Sequence, residues 1–378
     1  MTALWQKRLT GGAGRALDGV ISRELLAEAR RVIPQWNGYA PTPLISLKGM
    51  ASSLGLGEIR VKYEAGRFGL GSFKALGGAF AVGHALNGLS PEAMAATTVA
   101  TASDGNHGLS VAWGAKRYGC RCRIYLHENV SEGRADLIRA QGAQVVRVRG
   151  NYDDSTHQAK QDCLDNGWVL VSDTAIAADD EAPSVVMAGY SVMADEVVAV
   201  MSPPPTHVFV QGGCGGLAAA VFGIWHEAWG DAPRFIMVEP EKADCLYQSA
   251  KAGSPVRIEG DLDTVMGGLS VGEVSVSAWK TIERIVPDYM IIPDAAAVDA
   301  MTATGTGRYG DKPLVCGDAG AAGLAGLIEA AGDADLRTRL GLDEHSRVLC
   351  IVTEGAVDAD GYQALTGLDP VRVAEAVA

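Results

Sequence analysis

The chain has 378 residues, 48% of them hydrophobic and 20% charged, a balance that excludes intrinsic disorder and a length that suits two closely packed lobes. Its formal charge of −13 argues against nucleic acid or a membrane surface as partner, because both call for a basic patch, and leaves a small molecule as the expected ligand. No apolar run of about 18 residues occurs and residues 1–8 lack a signal-peptide core, so the cytoplasm is the expected compartment. Seven cysteines, an odd number without metal-finger spacing, read as free thiols in a reducing compartment, and no metal site is expected.

In chain order, the first element that carries chemistry is the run Gly69-Leu70-Gly71-Ser72-Phe73-Lys74-Ala75-Leu76-Gly77-Gly78. It sets a lysine between glycines at the mouth of an apolar helical stretch. Poor hydration there would raise the fraction of neutral amine, the species that attacks an aldehyde to form a Schiff base. A surface lysine on a helix is the ordinary alternative. From Thr97 onward, β-rich runs at 97–103, 122–127 and 143–148 alternate with helical runs at 105–118, 132–141 and 153–166. Strands separated by helices of that length predict a parallel sheet covered on both faces. Helical periodicity over 184–201, stopped by Pro203-Pro204-Pro205, marks a passage between lobes. The alternation then resumes, with strands at 206–210 and 234–238 and helices at 217–229 and 243–252.

Between the 206–210 strand and its helix lies Gln211-Gly212-Gly213-Cys214-Gly215-Gly216. Glycines let backbone amides turn toward an anion, and the helix N-terminus adds partial positive charge, so the loop suits a phosphate. It has neither the Lys-Ser/Thr ending of a nucleotide-triphosphatase loop nor the dinucleotide-binding spacing, and a tight turn without a ligand is the alternative. A Schiff-base lysine together with a phosphate loop is the pair that pyridoxal 5'-phosphate needs.

A third motif, Thr101-Ala102-Ser103-Asp104-Gly105-Asn106-His107-Gly108, resembles the Ser-x-Gly-Asn-His loop of the tryptophan-synthase-like (fold type II) pyridoxal phosphate enzymes, which include threonine dehydratases and serine racemases. Asp104 and the segment Arg67-Phe68-Gly69-Leu70-Gly71-Ser72-Phe73-Lys74 are most similar to the diaminopropionate ammonia-lyases within that group. The resemblance extends from Asn37 to about Asp358, through Asp173-Thr174-Ala175, Met187-Ala188-Gly189-Tyr190 and Thr353-Glu354-Gly355. It departs at Asp318, where relatives tend to carry glutamate.

The resemblance implies a two-lobed α/β fold in which each lobe is a mostly parallel sheet covered by helices. Residues 1–95 and 181–378 would form a large cofactor-binding domain, 96–180 a small mobile one, and the assembly would be a homodimer. The implied reaction is the elimination of 2,3-diaminopropionate to pyruvate and two ammonia, with Lys74 as Schiff base and α-proton acceptor. Asp104 would be the second base on the opposite face; a helix N-cap is its other reading. Phe73, Asn106, Gly212, Gly213, Cys214, Gly215, Gly216 and Thr353 would hold the cofactor, Asn106 at its 3-oxygen and Thr353 at its ring nitrogen. Ser103, His107 and Asp173 would lie against the substrate, although Ser103 and Asp173 also suit helix caps and His107 suits packing. A serine, threonine or hydroxyaspartate dehydratase or racemase of the same fold is the alternative activity, and a cofactor-binding protein without catalysis is the reading from another class.

Overall fold

The computed structural model of the chain describes residues 1–9, 14–103, 105–150, 152–174 and 181–375. Its strands, in chain order, are β1 (Ala3–Gln6), β2 (Leu44–Ser46), β3 (Glu58–Tyr63), β4 (Thr98–Ala102), β5 (Arg121–His127), β6 (Gln144–Val148), β7 (Val169–Leu170), β8 (His207–Gln211), β9 (Arg234–Pro240), β10 (Asp288–Ile292) and β11 (Arg347–Val352). The chain divides into two units, one of Met1–Val20, Pro41–Gly71 and Met193–Ala378, the other of Ile21–Ala40 and Ser72–Val192.

The first unit holds a seven-stranded sheet in the order β1-β10-β9-β8-β11-β3-β2. Its inner pairs are parallel, while β1 and β2 close the two edges antiparallel. Every residue of β8 is buried, as a central parallel strand with helices on both faces requires. Phe209, Val238, Val348 and Cys350 pack with Leu324 and Leu327 of the helix Ala322–Gly332 in one apolar core. A buried charge cluster ties β3 to the start of the later segment. Arg67 donates to Glu64 and Glu196, each at 2.8 Å, and Lys62 pairs with the same Glu196. These four side chains are at most 5% exposed, so each charge depends on its partners for the stabilisation that water would give.

The second unit is built on an all-parallel sheet, β6-β5-β4-β7, which matches the alternation expected over 97–166. Its extent differs from the 96–180 expected from the sequence, since it also includes Ile21–Ala40 and the helix Ala75–Ala85. Close packing accounts for the difference. A Cβ on Gly78 would lie 1.9 Å from Ser110 Oγ, and one on Gly114 2.7 Å from Ala79 Cα, so the helices Ala75–Ala85 and Asn106–Tyr118 touch nearly backbone to backbone. Trp36 meets Trp113 edge-on with ring centroids 5.6 Å apart, which fastens the Ile21–Ala40 segment to the same helix. The helix Ala182–Val200 is long and apolar enough to cross a membrane by length and composition, but 67% of its apolar window is buried inside the protein.

Gly189 on that helix would place a Cβ 2.0 Å from the Leu76 carbonyl oxygen and 2.7 Å from its carbon. Because backbone cannot move aside, Gly189→Ala is expected to destabilise by about 1–3 kcal/mol or more, seen as a lower thermal midpoint. Gly133→Ala, in an exposed helical position with nothing within 4 Å, is expected to be neutral or to stabilise by up to about 1 kcal/mol.

Candidate active site

Lys74 sits at the N-terminal end of the helix Ala75–Ala85 in helical conformation, φ −56° and ψ −27°. Its Nζ donates to Asp173 Oδ2 at 2.7 Å and lies 5.6 Å from the centre of the Phe73 ring. The side chain is 24% exposed and ion-paired. The flanking glycines did not predict this charged partner, because Asp173 arrives from a loop 99 residues later in the chain. Phe73 is buried against Tyr190, with centroids 4.7 Å apart.

Asp173 also lies 3.7 Å from His107 Nδ1. Burial works against ionisation of its carboxyl, yet neighbouring positive charge, from His107 when protonated and from the Lys74 ammonium with its hydrogen bond, outweighs burial and holds the group below the usual carboxylate range. His107 is itself buried, and burial pulls its pKa below the usual value. Its Nε2 faces the Val171 carbonyl oxygen at 2.9 Å. A carbonyl only accepts, so Nε2 carries the proton of the neutral ring and Nδ1 is left as a buried acceptor without a hydrogen-bond partner among the described residues.

The loop after β4 begins with Ser103, which is 4% exposed. Its Oγ accepts from the amides of Gly105 at 3.0 Å and Gly108 at 2.9 Å. Those donors occupy its lone pairs, and its own proton has no acceptor among the described residues. Gly105 adopts φ 150° and ψ −81°, a conformation open to glycine alone. A Cβ there would meet Arg134 Cδ at 3.2 Å, so the Arg134 side chain covers this loop; no signal in the sequence marked it. Asn106 opens the helix Asn106–Tyr118 and is half-buried. Asp104, expected as second base and substrate contact, lies outside the described residues.

In the other unit, Gly212, Gly213, Cys214, Gly215 and Gly216 form the loop between β8 and the helix Gly216–Trp229. Gly212 donates its amide to the Val238 carbonyl at 2.8 Å, and the Cys214 carbonyl accepts from Ser275 at 2.9 Å. The amides of Gly213, Gly215 and Gly216 have no partner among the described residues. Cβ atoms at Gly212 and Gly215 would fall 2.7 Å from Leu246 and Ile282 side chains, and Gly215 has φ 96°, so the turn requires glycine. A rigid loop with open amides at a helix N-terminus is the donor set a phosphate takes. The buried Glu239 carboxyl beside Gly212 accepts from the Leu246 and Tyr247 amides at 2.8 and 2.7 Å, and burial pushes it well above the usual range.

Thr353 follows β11 and is 3% exposed. Its Oγ1 accepts from Gln211 Nε2 at 2.9 Å. The signal for Gln211 in the sequence is a polar residue between the apolar run 208–210 and the glycine loop.

Residues 36–354 match the family model "Pyridoxal-phosphate dependent enzyme". The diaminopropionate ammonia-lyase of Salmonella typhimurium is 36% identical over 382 residues, covering 94% of both chains. The crystal structure of the Escherichia coli diaminopropionate ammonia-lyase in complex with an aminoacrylate-PLP azomethine reaction intermediate superposes with a TM-score of 0.89, at 32% identity over 97% of each chain. Maize serine racemase, at 22% identity and a TM-score of 0.75 over 92% of this chain and 97% of its own, shares the fold.

With Asp173 below and an unfolded carboxylate near pKa ~3.9, the unfolded apoprotein binds the proton first as the pH falls. The Asp173 contribution to stability is therefore complete above that value and is lost as the pH drops through the folded pKa. The gap in thermal midpoint between the apoprotein and its Asp173→Asn variant is expected to stay constant above about pH 5 and to shrink below about pH 4; a gap that widens in acid would contradict the pairing.

Proposed function

The chain belongs to the pyridoxal-phosphate dependent enzymes and, among them, to the diaminopropionate ammonia-lyases, and on that footing we propose that it converts 2,3-diaminopropionate and water to pyruvate and two ammonia. Lys74 Nζ, held at 2.7 Å by Asp173, is the observation that carries the reading, since it joins the one amine expected to react to an ionised group that can orient it. When bound, pyridoxal phosphate is joined to Lys74 through its aldehyde and its ring supplies the electron sink for removal of the α-proton.

The chain's own groups then divide the work. Lys74 Nζ, as a neutral amine, takes the α-proton from one face of the substrate, and Asp173 Oδ2 fixes the direction of that amine and stabilises it once protonated. Ser103 donates its unclaimed proton to the substrate carboxylate, with its Oγ held by the Gly105 and Gly108 amides. Asp104 attracts the β-ammonium, a charge that hydroxyamino acids lack, and is the base for the enantiomer whose α-proton lies on the other face. His107 packs beside Asp173 and keeps its charge near Lys74. The open amides of Gly213, Gly215 and Gly216 in the loop that Gly212 and Cys214 shape would hold the cofactor phosphate, Asn106 its 3-oxygen and Thr353 its ring nitrogen, and Phe73 would wall it. No cysteine among the described residues is in a disulfide, which supports the proposal of a cytoplasmic enzyme; a homodimer with residues 96–180 as a small mobile domain is proposed on the family's pattern.

The test is a coupled assay of pyruvate and ammonia on both enantiomers of 2,3-diaminopropionate, on serine and on threonine. Two ammonia per pyruvate are expected from diaminopropionate, with the hydroxyamino acids far slower. Asp104→Asn is expected to lower turnover of D-diaminopropionate by about 100-fold or more while sparing the L-form; equal losses on both would refute the two-base division.

A further inference from the structure

We infer that Gln211 is a positioning residue that aims the Thr353 hydroxyl proton at the ring nitrogen of the cofactor, an inference that rests on the assignment of Thr353 proposed above. Gln211 ends β8 and is 3% exposed. Its Nε2 lies 2.9 Å from Thr353 Oγ1, 3.1 Å from the Ala319 carbonyl, 3.2 Å from that of Ile351 and 3.4 Å from that of Gly320. Carbonyl oxygens only accept, so the nitrogen of the amide must face them; the flipped amide would set oxygen against oxygen three times.

That orientation decides the state of Thr353. An amide nitrogen cannot accept, so in the contact with Nε2 the hydroxyl is the acceptor, and its proton is turned away from Gln211. No described residue accepts that proton, in a position nearly without solvent, which leaves the acceptor to be supplied by a ligand. The Gln211 Oε1 atom is itself buried without a hydrogen-bond partner among the described residues. A glutamine kept only to satisfy its surroundings would not leave its stronger acceptor empty; this one is oriented by its donors. Because Gly212 follows directly in the chain, one strand end sets both the start of the glycine loop and the direction of the hydroxyl.

The experiment uses the holoenzyme and reads the pH midpoint of the visible absorption band of the Lys74-bound cofactor. Gln211→Met keeps the length and removes the donor, so the direction of the Thr353 proton is no longer fixed by the contact with Nε2. Thr353→Val removes the hydroxyl altogether. Both are expected to shift the midpoint in the same direction by about half a unit or more, and the double variant to match Thr353→Val alone. A shift in Thr353→Val with none in Gln211→Met overturns the inference and leaves the Thr353 assignment standing. No shift in either overturns both. If Gln211→Met does not fold, Gln211→Asn, which keeps an amide but draws it back from Thr353, is read by the same criterion.

Discussion

Lys74, which pairs with Asp173, opens one of two helices that lie almost in backbone contact. The helix that Lys74 opens, Ala75–Ala85, presents Gly78 to Ser110, and the helix that follows Ser103, Asn106–Tyr118, presents Gly114 to Ala79. A third helix, Ala182–Val200, joins the same contact, where Gly77 receives the Tyr190 ring and Gly189 receives the Leu76 carbonyl. Each contact leaves no room for a Cβ, so the helices have few alternative arrangements. Lys74 and Ser103 lie at the starts of these neighbouring helices, and their registration follows from this packing.

Neutral donors with fixed directions recur at the positions assigned to ligand binding. The Ser103 hydroxyl has its acceptor side filled by the Gly105 and Gly108 amides, and that of Thr353 by Gln211. In each unit, the hydroxyl therefore keeps a single proton to donate. Donors held before a ligand arrives need little reorganisation, which is what makes them effective toward developing charge. In a chain with a formal charge of −13, neutral groups and the open amides of Gly213, Gly215 and Gly216 are the anion contacts proposed, without a basic surface.

The parts of the fold legible in the sequence are those written in local pattern. β4, β5 and β6 and the helices between them stand out because apolar strands alternate with amphipathic helices, and the 212–216 loop because a strand, glycines and a helix follow in direct succession. The edge strands β1 and β2, of four and three residues, are too short for a period to show. The limits of the second unit were hidden for another reason: Trp36 joins Trp113 through a contact between residues far apart in the chain. At the candidate site, motif spacing singled out Lys74, Ser103 and the glycines as candidates. It could not show that Asp173 pairs with Lys74, 99 residues earlier, nor that Gln211 lies against Thr353, 142 residues later.

The central claim is that the amine of Lys74 carries the cofactor. Borohydride reduction of the holoenzyme, followed by digestion and mass spectrometry, tests it directly. The account predicts one pyridoxyl-labelled peptide with the modification on Lys74; a label on another lysine, or no label in a protein that retains its visible absorbance, would contradict it.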